Sequence, residues 1–254
     1  MMVALFTSLR SRLLLLVLFA GLPSLALILH NEGEQRHHVA VLVQENALRL
    51  ARLTAVEEDQ LVTPTRQLLA TLAYVPAVQH HDRAECNALF SKLAAQYPVY
   101  ANIGAIAPDG VVFGSAIELT NTVNLSDRLY FRQALETRDF AIGQYQVGRI
   151  TGEASVNFAY PVLDEHSNIA AVVFAAVDLD WLNQLVARAS LPAGAVLTAI
   201  DSNGTVLVNF PNPGTWVGKD VSTAPITQTI LAKHEGTAEV AGIDGVMRLY
   251  AFTP

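Results

Sequence analysis

A long apolar segment near the amino terminus limits what this chain can fold into more than any other feature. The seventeen residues 13–29 contain no ionisable side chain and follow Arg10 and Arg12. As a helix they would extend about 26 Å, close to the roughly 30 Å hydrocarbon core of a bilayer. We therefore predict a transmembrane helix over 13–30, and the two arginines favour a cytoplasmic segment over 1–12. A cleaved signal peptide is the alternative, and it would export the remaining residues equally well.

Composition and charge indicate that the exported part is a folded protein without a nucleic-acid partner. Of the 254 residues, 52% are hydrophobic and 15% are charged, which suffices for one or two packed domains. The formal net charge is −7, and the sequence has no cluster of lysines and arginines for phosphate contacts. The single cysteine, Cys86, excludes an intramolecular disulfide. Burial and hydrogen bonding must therefore stabilise the fold.

Residues 31–73 are predicted to form one long helix after the membrane span. From residue 35 this segment lacks glycine and contains one proline, Pro64, which should bend or interrupt the helix before it resumes over 65–73. Four apolar side chains flank Asn46 at the alternating spacing of a coiled-coil seam, namely Val39, Val43, Leu50 and Leu53. The seam favours either a homodimer through this helix or packing of the helix on the chain's own sheet.

Two glycine turns with matching flanks recur 94 positions apart and indicate a duplication. Ile106–Phe113 and Ile200–Leu207 each place apolar residues on both sides of a turn that ends in glycine, which is the pattern of a β-hairpin. A second match, between Phe158–Tyr160 and Tyr250–Phe252, follows in the same order. Two matches in one order favour a repeated module over two unrelated hairpins.

We place the two modules at 74–188 and 189–254 and assign both to the α+β class, each with a central antiparallel sheet. The first module contains a continuous apolar run, Ile169–Val177, suited to a central strand that is covered on both faces. An equal second copy would complete its equivalent strand only at about residue 272. We therefore expect a continuation beyond Pro254 that supplies this strand, a second membrane span and a cytoplasmic effector.

The most informative polar segment of the first module is Asn124–Glu136. Ser126 is predicted to cap a helix that begins at Asp127, because its hydroxyl can accept a hydrogen bond from a free first-turn N–H. The apolar face of this helix would consist of Phe131, Ala134 and Leu135. A long polar connection over 115–125 precedes it, and connections of this kind often close over ligands.

This part of the chain resembles the double Cache family of extracytoplasmic sensors, also described as tandem PAS-like or PDC-type domains. The matching segments are Ser126–Ala134, Phe140–Gly143, Ile150–Gly152, Phe158–Pro161 and Val172–Leu182. The resemblance covers roughly residues 40–254 and depends most on the Asp-Arg-x-Tyr-Phe start of the helix. It implies a membrane-distal PAS-like module that binds a ligand, followed by a membrane-proximal one.

The resemblance also implies which side chains contact the ligand. The predicted ligand-binding residues are Arg128, Tyr130, Phe131, Tyr145, Tyr160 and Asp178. The arginine would bind a carboxylate through its planar guanidinium, and Tyr130 and Phe131 would form the walls of the pocket. The aspartate would bind an amine, and the two remaining tyrosines would offer hydroxyl contacts.

Alternatives stay open at these positions. Members that bind amino acids resemble Arg-x-Trp-Tyr at the helix start, whereas this chain has Arg-Leu-Tyr-Phe, so a simple carboxylate or a ligand delivered by a binding protein is an equal expectation. Arg128 could instead pair with Asp127 or Glu136 on a solvated helix face. Asp178 could cap the helix that follows it, and the two aromatic residues could belong to the core.

The function implied by the resemblance is extracytoplasmic sensing of a small molecule by a membrane-anchored signalling receptor, with no enzymatic activity in this portion, no cofactor and no metal. A sensor histidine kinase is the expected receptor class, with a diguanylate cyclase or a chemoreceptor as alternatives. The expected location is the bacterial inner membrane, with the sensor part in the periplasm and signalling by a ligand-induced population shift. No G-x-S-x-G or H-E-x-x-H motif occurs in the sequence. A membrane-anchored periplasmic enzyme or an assembly scaffold is the alternative function.

Overall fold

A computed structural model describes residues 61–188, 191–192 and 194–254. Among these residues no helix combines the length and the apolar character that crossing a bilayer requires. The predicted span at 13–30, the cytoplasmic segment at 1–12 and the coiled-coil seam lie outside the described residues. Dimerisation through that seam therefore stays a prediction.

A five-stranded antiparallel sheet forms the centre of the first module, with the strand order β2-β1-β5-β4-β3. The strands are β1 Tyr100–Ile106, β2 Val112–Ser115, β3 Ala141–Val147, β4 Ala154–Leu163 and β5 Ile169–Asp178. The middle strand is β5, and its apolar side chains are buried on both faces of the sheet. The continuous apolar run is therefore a doubly covered central strand, as predicted.

Three helices cover one face of this sheet. They are α1 over 61–72, α2 at Pro76–Gln79 and α3 at Arg83–Gln96. Their apolar side chains, including Leu69, Val78 and Phe90, pack with the odd-numbered residues of β5 in one buried cluster. Asp82 caps α3 by accepting hydrogen bonds from the N–H groups of Ala84 and Glu85.

The described part of α1 runs through Pro64 without the predicted interruption. The Thr65 hydroxyl donates to the Leu61 carbonyl at 2.6 Å and lies 2.7 Å from the Tyr100 hydroxyl. A proline removes one backbone donor from a helix. The Thr65 side chain links the Leu61 carbonyl to the Tyr100 hydroxyl of β1, so this turn of the helix is fastened to the sheet.

The other face of the sheet is covered by α4, Leu129–Thr137, which begins two residues later than predicted. Arg128 occupies the N-cap position, and no side chain caps this helix. The Asn124 side chain accepts the Ser126 N–H, and the Arg128 N–H donates to the Leu125 carbonyl, so the chain turns before the helix starts. The predicted apolar face is confirmed, with Phe131 and Ala134 buried and Leu135 packed beside them.

The second module contains two separate two-stranded antiparallel sheets, which corrects the prediction of one central sheet. Its elements are β6 Leu197–Ile200, β7 Val206–Phe210, α6 Pro213–Trp216, α7 Pro225–Lys233, β8 Gly236–Ala241 and β9 Met247–Phe252. The predicted hairpin forms between β6 and β7, where Gly204 supplies a φ of 84°. In the first module β5 joins the two matching strand pairs, and no described strand has that position in the second.

Helix α5, Leu179–Arg188, connects the modules and packs against β7. The buried Asn183 side chain bonds the carbonyls of Leu179 and Leu207 and accepts the Asn209 N–H at 2.9 Å. An amide with three satisfied hydrogen bonds holds its partners in one arrangement. The second module is therefore attached directly to the helix that follows the central strand of the first.

Candidate ligand-binding site

A cavity of about 280 Å³ lies between the start of α4 and strand β3. Its lining residues are Asp127, Arg128, Leu129, Tyr130, Arg132, Gln144, Tyr145 and Gln146. Three of the six predicted ligand-binding residues, Arg128, Tyr130 and Tyr145, are brought together here. The α4 residues arrive from the turn before the helix, and the β3 residues come from a strand at the edge of the sheet.

The Arg128 guanidinium is oriented by the adjacent strand. One terminal nitrogen donates to the Val147 carbonyl at 3.3 Å, whereas the Nε atom is buried and has no hydrogen-bond partner within the described residues. The alternative pairing with Asp127 or Glu136 does not occur among the described ion pairs. Arg128 therefore lines the cavity and also has one buried donor without a partner among the described residues.

Asp127 is paired with Arg149 on the turn between β3 and β4. The two guanidinium nitrogens donate to the two carboxylate oxygens at 2.8 and 2.9 Å, and one of them also donates to the Asn124 carbonyl at 2.6 Å. These hydrogen bonds lower the pKa of the Asp127 carboxyl below its usual value. Asp127 is thus a paired carboxylate at the edge of the cavity.

The charges around the cavity do not balance. Arg128 and Arg132 both line it, and no described carboxylate binds either side chain. The one lining carboxylate, Asp127, has its charge offset by Arg149. The site therefore carries an excess of positive charge, which favours an anion.

Tyr130 contributes a second unused polar group. Tyr130 is 2% exposed, and its hydroxyl is buried without a hydrogen-bond partner of good geometry in the part of the chain that the structure describes. Burial raises the pKa of Tyr130 to about 12, and the neighbouring Asn157, Arg128 and Gln146 only partly oppose that shift. The phenol is therefore neutral at physiological pH, and Tyr130 lines the cavity.

Replacing Tyr130 with phenylalanine should not destabilise the ligand-free protein. A buried polar group without a partner costs about 1–3 kcal/mol, so we expect the Tyr130→Phe variant to unfold at equal or higher urea concentration. Ligand affinity should fall at the same time, because the hydroxyl is lost. A Tyr97→Phe variant is the control, since Tyr97 lies at the exposed end of α3. A large drop in stability for Tyr130→Phe would show that the hydroxyl is already satisfied.

A buried polar layer lies on the face of the sheet that α4 covers. Asn102 on β1 and Asn157 on β4 are both in register with Ala176 of β5, which places the two amides on one face. Asn102 accepts a hydrogen bond from Ser115, and its Nδ2 atom has no partner among residues 61–254 as described. The sequence analysis did not predict this layer. Polar residues at alternate positions of an apolar strand could have indicated it, because such residues share one face of the sheet.

The other three predicted site residues lie elsewhere. Phe131 is buried in the core beneath α4, and Tyr160 packs on the opposite face of the sheet, with the cluster under α1 to α3. Asp178 accepts the N–H groups of Asp180 and Trp181 and caps α5, as the alternative interpretation stated. Within the part of the chain that the structure describes, no group of His, Cys, Asp or Glu side chains suits a metal ion.

Tyr145 links the cavity to the second module. Its backbone N–H donates to an Asp201 carboxylate oxygen at 3.1 Å, and the other oxygen accepts the N–H groups of Asn203 and Thr205. Strand β3 lies at the edge of the sheet, and its pairing with β4 is irregular between Ile142 and Tyr145. One carboxylate therefore joins a cavity-lining residue to the turn between β6 and β7.

One curated relative supports a signalling context. No family model matches the chain. Sporulation kinase D of Bacillus subtilis (strain 168) is 24% identical over 175 residues, which is 69% of this chain and 34% of that kinase. The match therefore spans about a third of the length of the kinase.

Solved sensory domains share the fold. The extracellular domain of the histidine kinase rpHK1S-Z16 has a TM-score of 0.58 at 18% identity, over 87% of this chain and 88% of that domain. The ligand-binding domain of the Pseudomonas fluorescens chemoreceptor CtaA, solved with L-isoleucine, has a TM-score of 0.63 at 13% identity, over 85% and 87%. These neighbours confirm the predicted fold resemblance. The chain has the double Cache-type fold of the extracellular and periplasmic sensory domains of histidine kinases and chemoreceptors.

Proposed function

We propose that this chain is the extracytoplasmic sensing module of a membrane-anchored signalling receptor and that its ligand is a small carboxylate. The observation that carries the proposal is the buried Arg128 Nε atom, which has no partner among the described residues although Arg128 lines a cavity. A buried donor without an acceptor costs about 1–3 kcal/mol. A ligand oxygen that accepts this hydrogen bond removes that cost.

The chemistry of the cavity supports a carboxylate over a cation. Arg128 and Arg132 supply charge, the planar guanidinium matches two carboxylate oxygens, and the neutral Tyr130 hydroxyl supplies a further donor. Gln144 and Gln146 offer amide groups for the remainder of the ligand. The neighbour CtaA was solved with L-isoleucine, a ligand that also carries a carboxylate.

The signal would be a population shift between two arrangements of the modules. A ligand that binds one arrangement more tightly moves the equilibrium by its difference in affinity, and about 5.5 kcal/mol takes a 1:99 mixture to 99:1. Tyr145 lines the cavity and bonds Asp201 of the second module. Movement of β3 on binding would therefore be transmitted to the β6–β7 turn.

The receptor class that best fits these observations is a sensor histidine kinase. The relative in Bacillus subtilis is a sporulation kinase, and one structural neighbour is the extracellular domain of a histidine kinase. The chemoreceptor neighbours keep a chemotactic output as the alternative. In either class the anchored amino terminus at the inner membrane leaves the sensing module in the periplasm.

Three matched compounds test the ligand class. L-isoleucine, 3-methylpentanoate and 2-methylbutylamine share the same branched five-carbon unit and differ in whether it carries both charged groups, the carboxylate alone or the ammonium alone. In thermal-shift and calorimetric titrations we expect the two carboxylates to bind and stabilise the protein, because the cavity presents unpaired arginines. Stabilisation by the amine alone would contradict the proposal.

An Asp178→Asn variant separates an amino acid from a simple carboxylate. Asparagine caps helices as well as aspartate does, so the cap on α5 survives while the charge is lost. If the carboxylate alone is recognised, the variant should bind L-isoleucine and 3-methylpentanoate as the wild type does. A selective loss of L-isoleucine binding would instead assign Asp178 to the ligand ammonium.

A further inference from the structure

Arg149 lies on the β3–β4 turn, but its side chain bonds the connection that precedes α4 beside the cavity. The turn closes by itself, because the Gly152 N–H donates to the Gly148 carbonyl and the Gly148 N–H donates to the Glu153 carbonyl, both at 2.8 Å. The Arg149 guanidinium reaches away from these groups and bonds Asp127 and Asn124 on the connection before α4. Arg149 therefore stabilises the connection before α4 and not its own turn.

Asp127 would otherwise be the strongest competitor of an anionic ligand. It precedes Arg128 in the chain, and both side chains line the same cavity. A free carboxylate in the same cavity lining could pair with the Arg128 guanidinium or repel an incoming anion. Binding both of its oxygens to Arg149 offsets this charge and reduces both effects.

We propose that Arg149 is a specificity-determining positioning residue, which holds Asp127 away from Arg128 and so keeps the Arg128 guanidinium available for an anion. The inference rests on the proposed function, since it concerns the same cavity. Arginine suits the task because its planar fork binds both carboxylate oxygens and still reaches the Asn124 carbonyl. A lysine would bind one oxygen at a time and leave the carboxylate free to turn.

The experiment uses the full 254-residue chain in phospholipid nanodiscs, labelled with ¹⁵N-arginine and titrated with sodium acetate at constant ionic strength. The Nε–Hε signal of Arg128 reports directly on an anion at that atom. We expect acetate to shift this signal in the wild type and to bind on the order of tenfold more weakly in Arg149→Gln. The double variant Arg149→Gln with Asp127→Asn should recover most of the lost affinity, because the competing charge is gone.

Recovery of acetate affinity in the double variant would show that Arg149 acts by controlling Asp127, and not only by holding the turn in place. If Arg149 only held the turn in place, the double variant would bind as weakly as Arg149→Gln, and the inference would be wrong. Arg66→Gln is the matched control, because Arg66 makes a similar two-oxygen pair with Asp139 away from the cavity, with exposures of 53% and 56% against 44% and 59% for the Arg149 pair.

Two further outcomes distinguish this inference from the proposed function. If acetate never shifts the Arg128 signal in the wild type, the anion site itself is wrong and the inference is overturned with it. If acetate binds the wild type and Arg149→Gln equally, the sensing proposal survives and only the role of Arg149 is overturned.

Discussion

An Arg128→Ala variant should bind 3-methylpentanoate or L-isoleucine roughly a hundredfold more weakly than the wild type, as measured by calorimetry. The expected loss corresponds to about 3 kcal/mol, because a charge-assisted hydrogen bond to a guanidinium contributes more than a neutral one. Little stability should be lost, since within the described residues Arg128 makes one long hydrogen bond, to the Val147 carbonyl at 3.3 Å, and its Nε atom has no partner.

Two controls make this result specific. Arg128→Lys keeps the charge but loses the planar fork, so we expect an affinity between those of the wild type and Arg128→Ala. Arg66→Ala removes an arginine of the same module that does not line the cavity, and it should bind as the wild type does. Unchanged binding in Arg128→Ala would show that the carboxylate is recognised elsewhere.

An Asp201→Ala variant should lower the free energy of unfolding by about 3 kcal/mol. It should also weaken the coupling between the two modules, because it removes the bond between Tyr145 and Asp201. Asp201 is 9% exposed and accepts three backbone N–H groups, from Tyr145, Asn203 and Thr205. Alanine leaves these donors without the buried Asp201 acceptor, and losing three hydrogen bonds to a charged group at a part-buried site is costly. Urea unfolding followed by circular dichroism measures the loss.

Hydrogen exchange tests the coupling itself. In the wild type, ligand binding should slow exchange at Tyr145 and in the β6–β7 turn together. In Asp201→Ala the effect should stay confined to β3, while affinity remains within a few fold of the wild type. Asp244→Ala is the control, because Asp244 lies in the β8–β9 turn and accepts hydrogen bonds from Val246 and Arg248 of the same hairpin. Protection that still spreads to the second module would exclude Asp201 as the connection.

Local patterns predicted the elements of this fold well. The glycine turns, the apolar run of β5 and the buried face of α4 depend on neighbours within a few residues, and each is found in the structure. The predicted start of α4 is wrong by two residues. Asn124 stabilises a turn at this point by accepting the Ser126 N–H, and the sequence alone does not show whether this turn or a serine cap forms.

The sequence predicted only three of the six candidate site residues correctly as cavity-lining, and the reason is geometric. Tyr160 and Asn157 differ by an odd number of positions on β4, so they face opposite sides of the sheet. Strand periodicity shows that there are two faces, but only the packing of α4 shows which one meets the cavity. Arg149 lies 22 positions from Asp127, and local sequence patterns do not predict an ion pair at that separation.

The amino-acid sequence by itself determined the α+β class, the hairpins, the central strand and the arginine at the start of α4, since short-range periodicity and turn chemistry specify all of them. The tertiary structure alone decided that Asp127 binds Arg149, that Asp178 caps α5 and that Asp201 ties Tyr145 to the second module. The physical reason is that a charged side chain chooses among several partners by distance and burial. Those quantities exist only once strands distant in sequence have paired.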